Sequence, residues 1–140
     1  MKRVLAAVDG SLAADQAVDI AIDIAMGTGA SLLLVHVSEP IRLSRQDYAE
    51  FVARIEEERH REAQAIVNAA RWRAESRNCR AEIRLLTGPV AESIADLAEA
   101  QGADLVVCGS RGRGAVARVL LGSVSNRLMH ICKVPVLVAR

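Results

Sequence analysis

Glycines recur at fixed spacing in the last third of the chain, and their pattern could bind a phosphate. Two residues separate Gly109 from Gly112, and nine separate Gly112 from Gly122-Ser123. Glycine lets the backbone approach a ligand closely. The amides of a helix's first turn have no internal acceptors and therefore bind anions. The stretch "GSVS" at 122–125 predicts such a helix start with two hydroxyls, whereas Gly114 is interpreted as a turn.

Positive charge accumulates around these glycines. The net charge is +1, yet no Asp or Glu follows Asp104. Arg111, Arg113 and Arg127 lie close to the glycines in sequence and fit a polyphosphate, with ordinary surface positions as the alternative. The near-neutral charge and an aromatic content of 2% argue against a nucleic-acid partner.

Better-known phosphate-binding motifs are missing. A Walker loop needs Gly-Lys-Ser/Thr, but the lysines are Lys2 and Lys133 only. The first strand is followed by "DGSLAA", which lacks the glycines of a dinucleotide fingerprint. The third strand ends in "RLLTG" without an aspartate that could accept a phosphoryl group.

Short apolar runs alternate with helix-like stretches. The predicted strands span 3–8, 31–37, 81–86, 103–109 and 134–139. The predicted helices span 11–29, from the capping sequence "SRQD" at 44–47 to about residue 76, from Gly88-Pro89 to Gly102, and 123–132. This alternation predicts one α/β domain over 1–140, with a parallel sheet between helices.

Two helices carry a predicted polar side. Asp15, Asp19 and Asp23 share one face of the first helix, with Ala13, Ala17, Ile20 and Ile24 opposite as its buried side. The run "EEERHRE" at 56–62 of the second helix is interpreted as a solvated face with ion pairs inside the helix.

Asp9, in "AVDGS", lies at the tip of the first strand. Ligands of open α/β sheets bind beyond the carboxyl ends of the strands, where the strand order reverses. With the order 3-2-1-4-5, the tips of the first and fourth strands would meet there. Two interpretations stay open: Asp9 or Ser11 caps the first helix, or Asp9 accepts hydrogen bonds from a base amine or a sugar hydroxyl.

These features together resemble the universal stress protein family. The glycines and Ser123 match that family's G-2x-G-9x-G-S/T pattern, and "VLAAVDGS", "LLLVHV" and "KVPVLVAR" match its strands, so the resemblance covers the whole chain. It implies a Rossmann-like, doubly wound sheet of five parallel strands in the order 3-2-1-4-5, with four helices.

The resemblance also implies ATP binding. By position, Asp9 and Val37 would hold the adenosine end, with Ala7 and Val8 nearby. Cys108, Gly109, Arg111 and Gly112 would line the nucleotide, with Cys108 as a wall of the pocket. Gly122, Ser123, Val124 and Ser125 would bind the phosphates. Magnesium or manganese would be held by the phosphates, with Asp9 as the nearby carboxylate.

The expected role is regulatory, with a nucleotide that changes shape, self-association or affinity for an unidentified protein partner. The resemblance implies a homodimer through the strand at 134–139, whose apolar edge favours pairing. His36, His60 and His130 are scattered and interpreted as structural or surface residues, so we predict no catalytic residue and no metal site of side chains. Slow ATP hydrolysis is compatible with this. The alternatives are an ATP-using enzyme and an interaction module that binds another adenine nucleotide.

The cysteines bear on location. Cys79, Cys108 and Cys132 are widely spaced, which predicts free thiols in a reducing compartment. The opening "MKRVLAAVDG" has too short an apolar run for a signal peptide, and no stretch predicts a membrane span. We expect a cytoplasmic protein with no membrane partner.

Overall fold

The computed structural model describes residues 1–41, 49–111 and 121–140. Their strands are β1 (Arg3–Ala7), β2 (Ser31–Ser38), β3 (Ala81–Thr87), β4 (Leu105–Gly109) and β5 (Val136–Ala139). Their helices are α1 (Leu12–Thr28), α2 (Ala49–Glu75), α3 (Val90–Ala100) and α4 (Ser123–Ile131). Every predicted element is present with ends shifted by a few residues. The capping sequence at 44–47 lies outside the described residues.

The strands form one parallel sheet in the order β3-β2-β1-β4-β5, which confirms the predicted fold. β1 is central: Ala6 lies opposite Leu34 of β2 on one side and Val107 of β4 on the other. The chain builds outward from β1 in one direction through β2 and β3, and in the other through β4 and β5. The strand order therefore reverses between β1 and β4, and their carboxyl ends are neighbours.

A hydrophobic layer covers each face of the sheet. Val4 and Ala6 of β1 join α1 and α2 in one layer, whereas Leu5 joins α3 and α4 in the other. All three side chains are fully buried, as expected for a central parallel strand. No helix in the described parts of the chain is long and apolar enough to cross a bilayer.

The buried face of α1 differs from the predicted one. Of the four predicted residues only Ala17 is fully buried, and Ala13, Ile20 and Ile24 are partly exposed. The buried residues are Ala14, Ala17, Val18, Ala21, Ile22 and Ala25. The acidic side of α1 lies beside α2, whose Arg73 pairs with both Asp15 and Asp19, at 3.4 and 3.0 Å, and whose Arg77 pairs with Asp23.

Candidate functional site

A cavity of about 730 Å³ opens where the strand order reverses. The tips of β1, β2 and β4 form its floor, the start of α4 forms one wall, and α2 and α3 contribute side chains. This volume lies within the range of small-molecule sites, which bury most of their ligand in such clefts.

Eleven of the twelve predicted site residues line this one cavity. They are Ala7, Val8, Asp9, Val37, Cys108, Gly109, Arg111, Gly122, Ser123, Val124 and Ser125. Gly112 lies outside the described residues, as do Gly114, Arg113 and most of the span between Gly112 and Gly122. The fold thus brings four separate segments of the sequence to a single site.

The tip of β1 is fastened to β2 by two hydrogen bonds. The Val8 amide donates to the Val35 carbonyl oxygen at 2.8 Å, and His36 Nδ1 lies 2.7 Å from the Val8 carbonyl oxygen. Since a carbonyl can only accept, the imidazole proton must be on Nδ1. His36, interpreted from sequence as structural or surface, lines the cavity and has this structural role as well.

Asp9 sits in the turn that leads from β1 to α1. Its Oδ1 accepts a hydrogen bond from the Ser11 amide at 2.9 Å, and Ser11 Oγ in turn accepts from the Ala14 amide at 3.2 Å. Ser11 is therefore the N-cap of α1, and Asp9 orders the turn before it. Because Asp9 also lines the cavity, its predicted ligand contact is compatible with this role.

Gly109 ends β4 where the strand touches α1. A Cβ at this position would lie 2.6 Å from the Ala13 carbonyl carbon and 2.8 Å from the Ala14 amide nitrogen. Real side chains do not approach a backbone so closely, so α1 packs against β4 only because residue 109 is glycine. Gly109, predicted from the sequence to let a ligand approach the backbone, thus also has a packing role.

The start of α4 forms the opposite wall. Gly122 is its N-cap and, as a glycine, has no side chain to cap the helix, unlike Ser11 at the start of α1. The amides of Ser123, Val124 and Ser125 belong to the first turn and have no acceptor inside the helix. The Gly122 amide is engaged, since it donates to the Ser110 carbonyl oxygen at 2.5 Å.

The two predicted hydroxyls of this helix start differ in exposure. Ser123 is exposed, whereas Ser125 is only 2% exposed and its Oγ donates to loop carbonyls. The Ser125 proton is thus used within the protein, and the role of both hydroxyls as phosphate ligands stays a prediction.

The three arginines proposed for a polyphosphate have different surroundings. Arg111 lines the cavity, and Arg113 lies outside the described residues. Arg127 Nε donates to Glu92 Oε1 of α3 at 2.9 Å, and this hydrogen bond lowers the pKa of Glu92. Arg127 is thus part of an α3–α4 ion pair and does not line the cavity.

The contribution of α2 to the cavity was not predicted from the sequence. Arg59 and Glu62, assigned to a solvated face, line the cavity, and Arg59 Nη1 donates to the Glu39 carbonyl oxygen at 2.8 Å. The expected ion pairing inside the helix holds for Arg61 with Glu57, at 3.6 Å. A usable signal was the four-residue spacing that puts Arg59 on the same stripe as the buried Ala63. Further lining residues are Val90 and Ile94 of α3 and Ser38 of β2.

Cys108 is a buried wall of the cavity. It is 3% exposed, and burial raises the pKa of its thiol to about 11. All three cysteines are free. A thiol with so high a pKa is a poor nucleophile at neutral pH, which agrees with the predicted role of Cys108 as part of the pocket wall.

A parallel sheet with a cavity at its point of reversal is the architecture of nucleotide-binding α/β proteins. The family model described as the universal stress protein family matches residues 1–140. The chain therefore belongs to the universal stress protein family. A relative from Thermus aquaticus, the universal stress protein in the QAH/OAS sulfhydrylase 3′ region, is 36% identical over 144 residues and aligns over 99% of this chain and 98% of its own.

Solved structures agree on the fold. The universal stress protein UspA from Lactobacillus plantarum superposes with a TM-score of 0.90 at 21% identity, covering 99% of this chain and 97% of its own. A universal stress protein in complex with cAMP superposes with a TM-score of 0.76 at 30% identity, covering 99% of this chain and 97% of its own. At least one similar protein of this family therefore binds an adenine nucleotide.

Proposed function

We propose that the protein binds ATP in the cavity between the β1 and β4 tips and acts as a nucleotide-dependent regulatory protein in a stress response. The observation that carries the proposal is the uncapped start of α4 at the wall of a cavity of nucleotide size. The phosphates would lie against the first-turn amides of this helix, where the helix dipole favours negative charge. The exposed Ser123 and the positively charged Arg111 line the same cavity.

The adenosine end would point away from α4 toward the tips of β1 and β2. Asp9 supplies a carboxylate for a sugar hydroxyl or base amine there, next to Ala7 and Val8. Val37, Val90 and Ile94 supply an apolar surface for the base. The relative solved with cAMP supports an adenine nucleotide as the class of ligand.

A divalent cation, Mg²⁺ or Mn²⁺, would accompany the ATP. The described residues hold no cluster of three or more metal-ligating side chains. The phosphate oxygens would therefore provide most of the ligands, with the Asp9 carboxylate as the nearby hard oxygen donor. The ion would neutralise phosphate charge and orient the triphosphate.

We propose a binding role rather than an enzymatic one. Two polar groups that line the cavity already make structural hydrogen bonds: His36 Nδ1 donates to the Val8 carbonyl, and the Ser125 hydroxyl donates to loop carbonyls. Hydrolysis would then be slow. A turnover assay tests this: a fast rate that collapses in Asp9→Ala while ATP binding persists would establish the enzyme alternative.

The assembly and the location are further parts of the proposal. Among the described residues, β5 is the last strand of the sheet and is paired with β4, and its outer edge would pair with a second copy in a homodimer through 134–139. Free cysteines are compatible with a reducing cytoplasm. A protein partner would sense the nucleotide state or the dimer.

Native mass spectrometry of freshly purified protein, followed by calorimetry with ATP, ADP, AMP and cAMP, tests the ligand. We expect ATP bound at one site per chain. No binding of ATP at saturating concentration would reject the proposal, and tight binding of cAMP with weak binding of ATP would favour the alternative nucleotide.

Gly122→Val tests where the phosphates lie. Gly122 has φ −72° and ψ 163°, which valine can adopt, so folding should survive. The branched side chain would obstruct the approach to the α4 amides and weaken ATP binding. The matched control is Gly27→Val, since a Cβ at the exposed Gly27 of α1 meets nothing within 4 Å. Equal ATP affinity in both variants would refute the placement at α4.

A further inference from the structure

We propose that Ser125 is a positioning residue: its hydroxyl holds the start of α4 on the tip of β4 and does not contact the phosphates. The family resemblance implies the opposite assignment, with Ser125 among the phosphate ligands. The proposal rests on the proposed function only in taking ATP as the ligand. The hydrogen bonds that support it are all within the protein.

The first step concerns the proton of the Ser125 hydroxyl. Ser125 Oγ lies 3.1 Å from the Ser110 carbonyl oxygen and 3.0 Å from the Gly122 carbonyl oxygen. Both partners can only accept, and a serine has a single hydroxyl proton. A phosphate oxygen would also need that proton. Because Ser125 is 2% exposed and shares its proton between two carbonyls, it has none to offer a phosphate.

The second step concerns what the hydroxyl holds. The Ser110 amide donates to the Ala139 carbonyl oxygen of β5 at 2.6 Å, while its carbonyl accepts from the Gly122 amide and from Ser125 Oγ. One residue, Ser110, thus joins the end of β5, the segment after β4 and the start of α4. Ser110 is itself 3% exposed. This junction fixes where the first-turn amides of α4 point, so the Ser125 hydroxyl acts on the phosphates through the backbone.

The third step is the contrast with Ser123, two residues earlier. Ser123 lines the same cavity but is exposed, and within the described residues its hydroxyl has no hydrogen-bond partner. The same turn therefore carries one serine available for a direct phosphate contact and one used for support. This pair provides a matched comparison.

The experiment uses Ser125→Ala and Ser123→Ala in the full chain. Amide hydrogen exchange is first measured by NMR without nucleotide. We expect the Gly122 amide to exchange about three- to tenfold faster in Ser125→Ala, the range that corresponds to the loss of one neutral hydrogen bond. Its rate should be unchanged in Ser123→Ala. If the alanine variant does not fold, Ser125→Cys keeps the side-chain size with a weaker donor and should show the same direction.

Calorimetry with ATP and with adenosine then separates positioning from general stability. Both serine variants should bind ATP about three- to tenfold more weakly and bind adenosine as the wild type does, since adenosine has no phosphates. An unchanged Gly122 exchange rate together with weakened ATP binding in the Ser125 variant would make the hydroxyl a phosphate ligand and overturn the proposal. Faster exchange with unchanged ATP affinity would also overturn it.

The two proposals fail in different ways. A wild-type protein that binds no ATP refutes the proposed function. In that case the exchange rate of Gly122 still decides whether the Ser125 hydroxyl holds α4 in place. A wild-type protein that binds ATP, with a Ser125→Ala variant that binds it equally well, refutes the positioning role alone.

Discussion

The His36 side chain donates a hydrogen bond from Nδ1 to the Val8 carbonyl oxygen, 2.7 Å away, and joins the tips of two neighbouring strands. β1 ends one residue before Val8, whose amide still donates to the Val35 carbonyl oxygen, and the His36 side chain adds a second connection at the Val8 carbonyl. The Val8 side of this bond is well shielded, with 6% of the residue exposed. Removal of the donor would leave this buried carbonyl oxygen without a hydrogen bond and would lower the stability of the folded protein.

His36→Phe tests this bond. The ring keeps a similar size but has no donor, so we expect the free energy of unfolding to fall by about 1–3 kcal/mol, the cost of an unsatisfied buried carbonyl. Urea denaturation measures it. His130→Phe is the control, because His130 Nδ1 makes a contact of the same length, 2.7 Å, to the Asn126 carbonyl oxygen on the exposed face of α4. Equal losses in both variants would contradict the role of His36.

Gly109→Ala should destabilise the protein through the contact of β4 with α1. The added Cβ would lie 2.6 Å from the backbone of Ala13, and overpacking of this kind costs about 1–3 kcal/mol. Gly27→Ala should do the reverse and stabilise α1 by about 0.5–1 kcal/mol, because the site is open and alanine favours helix. Thermal unfolding of the two variants shows whether each substitution lowers or raises the stability. A neutral Gly109→Ala would show that the strand can move away without cost.

Asp104 makes stability depend on pH. Its Oδ2 accepts hydrogen bonds from the Lys2 and Arg3 amides at 2.6 and 2.9 Å, and those from Arg3 and then Lys2 lower its pKa. A pKa lowered in the folded state stabilises the protein above the unfolded value, near 3.9, and this contribution disappears as the pH falls through the folded value.

Asp104→Asn should therefore unfold at a lower temperature than the wild type at pH 7, with the difference shrinking below about pH 4. Melting curves at several pH values provide the measurement. Asp96→Asn, at an exposed position of α3, controls for the change of net charge. A difference that stays constant down to low pH would show that the carboxylate charge is not responsible.

Alkylation should distinguish the three thiols. Burial raises the pKa of Cys108 to about 11 and also raises that of Cys79, whereas Cys132 is partly exposed. Iodoacetamide at neutral pH should modify Cys132 first and leave Cys108 unmodified in the folded protein. Peptide mass spectrometry measures the order, and protein in denaturant should react at all three positions. Early modification of Cys108 would show that the cavity wall opens.

The sequence predicted those parts of the fold that depend on local pattern. Apolar runs and their spacing located the strands, and the tips carrying Asp9 and Gly109 do meet at one cavity. Side-chain directions that depend on a distant helix were not predictable. Arg127 pairs with Glu92 of α3, and α2 brings Arg59 to the cavity. Both positions depend on how separate helices pack, which a local sequence pattern does not contain. The hydrogen bond from the Ser125 hydroxyl could not be predicted without knowing where the Ser110 carbonyl lies.

The central place of β1 affects how the chain is made. Lys2, just before β1, bonds to Asp104, 102 residues later in the sequence. During synthesis β1 leaves the ribosome before the other strands, and its second edge can pair with β4 only after α3 has emerged. Pairings of such long sequence separation form slowly, and an unfilled strand is prone to wrong partners meanwhile. The central strand β1 is therefore synthesised before the other strands of the sheet and is among the last to have both of its edges paired.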